Sequence, residues 1–306
     1  MKHEILVETK NLSVTFPMKK ESVFEKRKYL KAVSGVSIQI RKGETFGLVG
    51  ESGCGKSTLA NTTLCFGKLA GGNLFFDGID LTHADKNTVK KVRQRMQKIF
   101  QDPAASLNPR FTVYEAISEP LRLRKGFDPE QIRNRTLEMT KAVGLGENDL
   151  TRFTFEFSGG QQQRIAIARA LILNPDYIVC DEPVSALDVS VHAQILNLLM
   201  ELQKKTGVTY LFISHNLAVV KQICTRCAIM YFGKVVEYGD TEKIFNHPLH
   251  PYTKILLSAI LPLTKEETTI IKKDPNVVPE WEQTDMELVE AEPDHFVARS
   301  FAEIKS

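Results

Sequence analysis

The sequence predicts an α/β fold in which a mostly parallel sheet is covered by helices, and three observations carry that expectation. Short runs at Thr45 to Val49, Tyr177 to Cys180 and Tyr210 to Ile213 are apolar throughout, as strands buried on both faces must be. Each ends in a polar or glycine-containing turn ahead of a helical stretch, the alternation that builds βαβ units. The 306 residues are 42% hydrophobic and 25% charged, which suits one large α/β domain with an appendage, or two domains, and excludes collagen-like, disordered and disulfide-scaffold chains. In such a sheet the functional side chains gather at the carboxyl ends of the strands.

Ahead of that core, Ile5 to Phe16 and Val33 to Ile40 alternate in polarity and read as antiparallel strands, with residues 17–31 as a solvated, mixed-charge loop. Lys86 to Lys98 reads as a basic helix facing water; no RNA-recognition pattern accompanies it, so nucleic acid is not an expected partner. Residues 112–150 place Ile117, Leu121, Leu137, Met139, Val143 and Leu145 among charges and read as a helical insertion, within a subdomain spanning about 102–158. Periodicity weakens after Gly239, so residues 1–250 read as the main domain and 251–306 as a C-terminal extension.

The net charge of +3 conceals an imbalance. Residues 280–306 hold eight acidic and two basic side chains, a local −6, which leaves +9 on the rest. No stretch approaches the roughly 18 to 20 apolar residues of a membrane span, and the charged start MKHEILVETK is unlike a signal peptide, so a cytosolic chain is expected. Five cysteines in apolar contexts agree with a reducing compartment. Cys224 and Cys227 form a CxxC pair, but between two apolar stretches rather than at a helix start, and read as packing residues.

The sharpest local signal is Gly50-Glu-Ser52-Gly53-Cys54-Gly55-Lys56-Ser57-Thr58, which fits GxxxxGK[ST] and directly follows an apolar strand. Glycines there let backbone N–H groups turn inward around phosphates, and a helix starting near Lys56 adds its positive end. Lys56 is expected to reach β- and γ-phosphates and Ser57 to ligate Mg²⁺. Asp181 and Glu182 end the strand Tyr177 to Cys180; Asp181 would hold Mg²⁺ through its water shell and Glu182 would polarise the attacking water. Taken alone, that acidic pair could simply cap a strand. Ser158-Gly159-Gly160-Gln161 opens a helix and offers a second anion site, or a plain N-cap. Two phosphate cradles beside one P-loop suggest that the second serves a neighbour's nucleotide.

With these motifs in order, the sequence resembles the ATP-binding cassette (ABC) ATPases over roughly residues 4 to 262. The resemblance adds a Q-loop glutamine at Gln101, a D-loop at Ser185-Ala-Leu-Asp188, a switch histidine at His215 and an adenine-stacking aromatic at Phe16, which could otherwise be a core residue. It implies a P-loop NTPase fold with an antiparallel β subdomain and a helical subdomain, ATP and Mg²⁺ as ligands, and two cassettes closing head to tail over each ATP. Within that picture Glu182, His215 and Gln101 are catalytic and Ser57, Gln101 and Asp181 hold the metal. Nucleotide contacts are expected from Phe16, Gly50, Ser52 to Thr58, Ser158 to Gln161 and Asp188.

Finer features resemble the oligopeptide, dipeptide and nickel importers: Gln101-Asp-Pro-Ala-Ala-Ser-Leu-Asn-Pro-Arg110 and His247-Pro-Leu-His-Pro-Tyr-Thr253. The two histidines of the second element lack further ligands nearby and read as structural. That subfamily often has Arg where Gln162 stands and Asp-Arg where Thr225-Arg226 stands, and no cysteine follows Cys227 to hold the iron–sulfur cluster of some members. The resemblance implies an ATPase subunit at the cytoplasmic face of the membrane, powering oligopeptide or dipeptide import. Its implied partners are transmembrane permease subunits, a second, different ATP-binding subunit and an extracytoplasmic solute-binding protein. A nickel or metal-chelate importer is the alternative, followed by a soluble ABC ATPase outside transport. DNA-repair relatives insert a long coiled coil where this chain has 99 residues between Thr58 and Ser158.

Overall fold

The computed structural model describes residues 4–18, 27–258 and 286–300. Strands β1 (Ile5–Pro17) and β2 (Tyr29–Arg41) pair antiparallel, from Ile5 opposite Arg41 to Pro17 opposite Tyr29. Strand β3 (Thr45–Val49) and helix α1 (Lys56–Thr63) then flank the glycine-rich turn, and β4 (Gly71–Phe76) and β5 (Ile79–Asp80) complete a four-stranded antiparallel sheet in the order β2-β1-β4-β5. The polarity alternation of the first forty residues follows from this: Val7, Val33, Ile38 and Ile40 point into a core shared with Phe46, Leu48, Leu59 and Ile213. Of the loop expected over 17–31, residues 19–26 lie outside the described residues, and Tyr29 to Lys31 already belong to β2.

Helix α2 (Lys86–Arg93) is capped by Asp85, which accepts from Asn87 and Thr88. The basic helix expected to run to Lys98 stops here, because Met96–Ile99 forms strand β6, parallel to Tyr177–Cys180 with Met96 and Ile99 buried. Sheet pairing overrides the local preference of a lysine-rich stretch. A helical block follows: α3 (Pro103–Ser106), α4 (Val113–Arg122), α5 (Pro129–Ala142), two 3-10 turns at Glu147–Thr151 and Thr154–Glu156, and α6 (Gly159–Leu171). Thr112 and Glu115 form a capping box on α4, and Asp128 and Gln131 one on α5, so both insertion helices have well-fixed starts.

The chain then returns to the sheet with β7 (Tyr177–Asp181), α7 (Val189–Thr206), β8 (Thr209–Ser214), α8 (Leu217–Ile223), β9 (Arg226–Tyr231) and β10 (Lys234–Asp240). Strands β9-β3-β8-β7-β6 run parallel, which is why β3, β8 and β9 are buried at every position. Cys224 and Cys227 are buried beside this sheet; burial pushes both thiols up, Cys227 to about 12, so neither is a thiolate near neutral pH and both act as packing residues.

Helices α9 (Thr241–Asn246) and α10 (Pro251–Ser258) follow. The acidic tail, read by composition as an extension, carries a hairpin of β11 (Met286–Glu292) and β12 (His295–Ser300), and β12 pairs with β10 to widen the main sheet to eight strands. The attachment is chemical as well as geometric. His295 and Glu237, both with side chains 0% exposed, meet at 2.7 Å, and Asp294 reaches Arg226 at 3.1 Å and Arg41 at 3.0 Å.

Candidate functional site

The site lies at the carboxyl ends of β3, β7 and β8, where a parallel sheet leaves its loops to converge. After β3 the chain turns through residues 50–55 and enters α1 at Lys56. Gly55 has φ 107, and a Cβ there would lie 2.2 Å from the Ala32 carbonyl oxygen, so only glycine makes this turn. Lys56 is buried, and its ammonium donates to the Gly50 and Glu51 carbonyls, both at 2.8 Å. The Cys54 thiol, 3.8 Å from that ammonium, is pushed up by burial and stays protonated.

The helix starts separate into two groups. Helices α2, α3, α4, α5, α8 and α9 begin with an Asp, Thr or Asn side chain accepting a first-turn N–H. Helices α1, α6 and α7, which begin at Gly55, Ser158 and Asp188, have no such side-chain acceptor. These are the three starts that the sequence motifs single out; at α6 the Gln161 side chain reaches back to the Ser158 N–H and at α7 the Val191 N–H goes to the Asp188 carbonyl, while the start of α1 suits an anion.

Opposite α1, Asp181 and Glu182 end β7 as expected. Ser57 Oγ donates to Asp181 Oδ1 at 3.2 Å, and Lys98 at the end of β6 pairs with Asp181 Oδ2 at 2.8 Å. Serine hydroxyl, carboxylate and a nearby glutamine amide form a hard-oxygen donor set that fits Mg²⁺. Glu182 has φ 47, unusual for a residue with a side chain, and backbone strain of this kind persists where the surroundings enforce it. Its carboxylate receives Gln101 Nε2 at 3.3 Å and faces His215 Nδ1 at 3.3 Å.

The structure therefore gathers Lys56, Ser57, Gln101, Asp181, Glu182 and His215 at one place. Among the described residues no hydrogen bond or ion pair joins the turn from Ser158 to Gln161, or Asp188, to residues 50–58. Ser158 instead donates to Gln161 Oε1 at 3.2 Å and stays exposed at the start of α6. Phe16 is 49% exposed on β1 and so is not the core residue it could have been. Sequence reasoning missed Lys98, which it placed on a solvated helix, and gave no role to Tyr252 of the His247 to Thr253 element, whose hydroxyl accepts the Glu51 N–H at 3.3 Å. His247 meets Glu292 at 3.0 Å and His250 is buried; among the described residues no three His, Cys, Asp or Glu side chains are grouped to hold a metal.

Comparison with known proteins agrees with this geometry. The ABC transporter family model matches residues 33–185, and the model for the C-terminal region of oligopeptide/dipeptide transporters matches residues 236–285. The chain is 45% identical over 309 residues to the oligopeptide transport ATP-binding protein OppF of Bacillus subtilis, covering 99% of each. It is 43% identical over 304 residues to the dipeptide transport ATP-binding protein DppF of Lactococcus lactis, covering 97% of this chain and 95% of the relative. Among solved structures it resembles the dimeric ATP-binding cassette MJ0796 in a post-hydrolysis state bound to ADP and Pi, with a TM-score of 0.67 and 31% identity, covering 77% of this chain and 99% of that one. By motif order, site geometry and overall similarity, the chain belongs to the ABC transporter family, in the group of oligopeptide and dipeptide transport ATP-binding proteins.

Proposed function

We propose that this chain is the ATP-hydrolysing subunit of a multi-subunit importer of oligopeptides or dipeptides, working at the cytoplasmic face of the membrane. The observation that carries the reading is the convergence of Lys56, Ser57, Asp181, Glu182, Gln101 and His215 at the strand ends. Lys56 leaves the Gly50 and Glu51 carbonyls for the β- and γ-phosphates, and the open start of α1 receives the remaining phosphate charge. Ser57, Asp181 and Gln101 would hold Mg²⁺, which when bound neutralises charge on the phosphate oxygens. Glu182 accepts the proton of the attacking water, while Gln101 and His215 fix the direction of its carboxylate. Phe16 stacks on the adenine.

The exposed Ser158 to Gln161 turn and Asp188 complete the nucleotide site of a second ATP-binding subunit, a different chain in our reading. The lack, among the described residues, of any hydrogen bond or ion pair between them and residues 50–58 supports this head-to-tail arrangement. For the permease contact, a groove opens beside Gln101 with Leu64, Phe66 and Phe100 on its apolar side and Arg93, Glu119 and Arg169 on its charged side, and it suits a short amphipathic helix of a transmembrane subunit. Among the described residues no helix is long and apolar enough to cross a membrane, so passage of solute falls to other subunits. An extracytoplasmic solute-binding protein delivers the peptide. The similarity to peptide transport ATP-binding proteins over almost the whole chain favours peptides as the solute. Reconstitution with copurifying membrane subunits tests this: labelled oligopeptide should enter vesicles only with ATP, and Lys56→Ala should abolish uptake. Hydrolysis that no peptide and binding protein stimulate would overturn the peptide reading.

A further inference from the structure

We propose that Tyr252 is a positioning residue of the phosphate-binding loop, an inference that rests on the nucleotide reading of that loop. The peptide unit joining Gly50 to Glu51 is gripped at both ends. Its carbonyl oxygen accepts from Lys56 Nζ at 2.8 Å, and its N–H donates to the Tyr252 hydroxyl at 3.3 Å. When Lys56 turns to a phosphate it releases the carbonyl, and Tyr252 then keeps the peptide plane oriented. The loop leaves little room for other orientations. A Cβ at Gly50 would lie 2.2 Å from the Met230 carbonyl oxygen, so the backbone already touches β9 there.

Tyr252 is itself held from three sides. It is fully buried, and its ring packs on Tyr231, the residue after Met230, with centroids 4.3 Å apart. Its N–H donates to His250 Nδ1 at 3.1 Å. The backbone just before it is fixed by Glu237, whose two carboxylate oxygens accept the N–H groups of Leu249 and His250, both at 2.9 Å. Glu237 is anchored in turn by His295 of the C-terminal hairpin at 2.7 Å. A continuous chain of buried polar contacts thus runs from β12 through Glu237 and α10 to the first peptide of the phosphate loop. This gives the stretch from Leu249 to Tyr252 a role in the reaction: it sets the backbone against which the loop N–H groups are aimed.

The test is Tyr252→Phe in the full chain, which keeps the ring and its contact with Tyr231 and removes the acceptor. Binding of ATP is measured by calorimetry beside wild type, Lys56→Ala and Thr253→Val, a buried neighbour on α10 whose hydroxyl has no partner among the described residues. Tyr252→Phe should weaken ATP binding about fivefold, because the loop loses its fixed orientation once Lys56 turns to phosphate, while the melting temperature without nucleotide falls by no more than a few degrees; Thr253→Val should bind like wild type. In the assembled complex Tyr252→Phe should raise the KM for ATP with little change in kcat. Wild-type affinity in Tyr252→Phe, or an equal loss in Thr253→Val, overturns the proposal. Failure of the loop reading looks different, because Lys56→Ala would then bind ATP as well as wild type. If Tyr252→Phe melts early, Glu237→Gln serves as the second variant: weaker ATP binding in its folded fraction supports the chain of contacts and wild-type affinity overturns it.

Discussion

Lys98 Nζ lies 2.8 Å from Asp181 Oδ2, and the two side chains are only 12% and 15% exposed. Lys98 also donates to Asn61 Oδ1 at 2.9 Å, so the ammonium is held on the carboxylate by a second partner. On the metal role proposed for Asp181, a cation placed on its carboxylate opposes the metal by direct repulsion and by occupying an acceptor.

Lys98→Met should therefore lower the Mg²⁺ concentration that half-saturates ATP hydrolysis by about fivefold, equivalent to roughly 1 kcal/mol for a partly screened pair. A titration of turnover against Mg²⁺ at saturating ATP checks it. An unchanged or higher requirement would show that Lys98 serves Asp181 only as a structural counter-ion.

Glu182 makes the second prediction. Gln101 and His215 both address its carboxylate, and its positive φ fixes the backbone below it, so replacement by glutamine retains shape and removes the proton acceptor. Glu182→Gln should cut hydrolysis by about 10² to 10⁴, the range of general-base contributions, while ATP affinity is maintained and the nucleotide is retained in a closed dimer. Single-turnover kinetics with filter binding measure both quantities. Turnover near wild type would remove Glu182 from the base role.

What the sequence made legible, and what it did not, follows from the range of the forces involved. Strands β3, β7 and β8 were readable because burial on both faces leaves an uninterrupted apolar run. The residues from Gly50 to Thr58 were readable because the turn needs particular residue types at fixed spacing. Strand β6 was not, since its lysine and glutamine favour a helix locally and only pairing with β7 settles it. The C-terminal hairpin was hidden for a related reason. Its composition is acidic and solvated, and its place in the sheet depends on Glu237, Arg226 and Arg41, residues far away in sequence whose proximity no spacing rule reveals. Tyr252 belongs with them: 201 residues separate it from the loop it touches.

Asp77 ties the antiparallel sheet to the start of β6. Its carboxylate meets Lys42 at 2.8 Å and Arg95 at 2.7 Å, and hydrogen bonds from Lys42 first and Arg95 second hold it below the ordinary carboxylate range. The folded carboxyl thus takes up its proton at lower pH than the unfolded one. Its contribution to stability is complete above about pH 4 and is lost as the pH falls through the folded value. Asparagine tolerates the positive φ of this position as aspartate does, so Asp77→Asn adds no backbone strain and removes the charge together with one of the two acceptor oxygens. It should lower the melting temperature by about 1 to 3 °C at neutral pH, a small effect because the pairs are partly exposed. Melting curves recorded from neutral to acidic pH should show the gap between variant and wild type closing below about pH 4; a gap that persists there would assign the effect to packing.

Ser158 allows the composite nature of the site to be tested from one chain. It is exposed, and among the described residues its hydroxyl and its N–H both go to Gln161 of the same turn. Arginine at this position faces water, so Ser158→Arg should fold and melt like wild type. ATP binding to the variant chain alone should also be unchanged, because among the described residues the turn makes no hydrogen bond or ion pair with residues 50–58. Once the variant is paired with the second ATP-binding subunit, the added bulk and charge occupy the place of that subunit's γ-phosphate, and turnover should fall at least about tenfold, the effect of losing well-aimed anion contacts. Measuring the two states side by side separates the possibilities. Weaker ATP binding by the lone variant would place Ser158 in its own chain's nucleotide site, and undiminished turnover in the complex would leave this turn outside both.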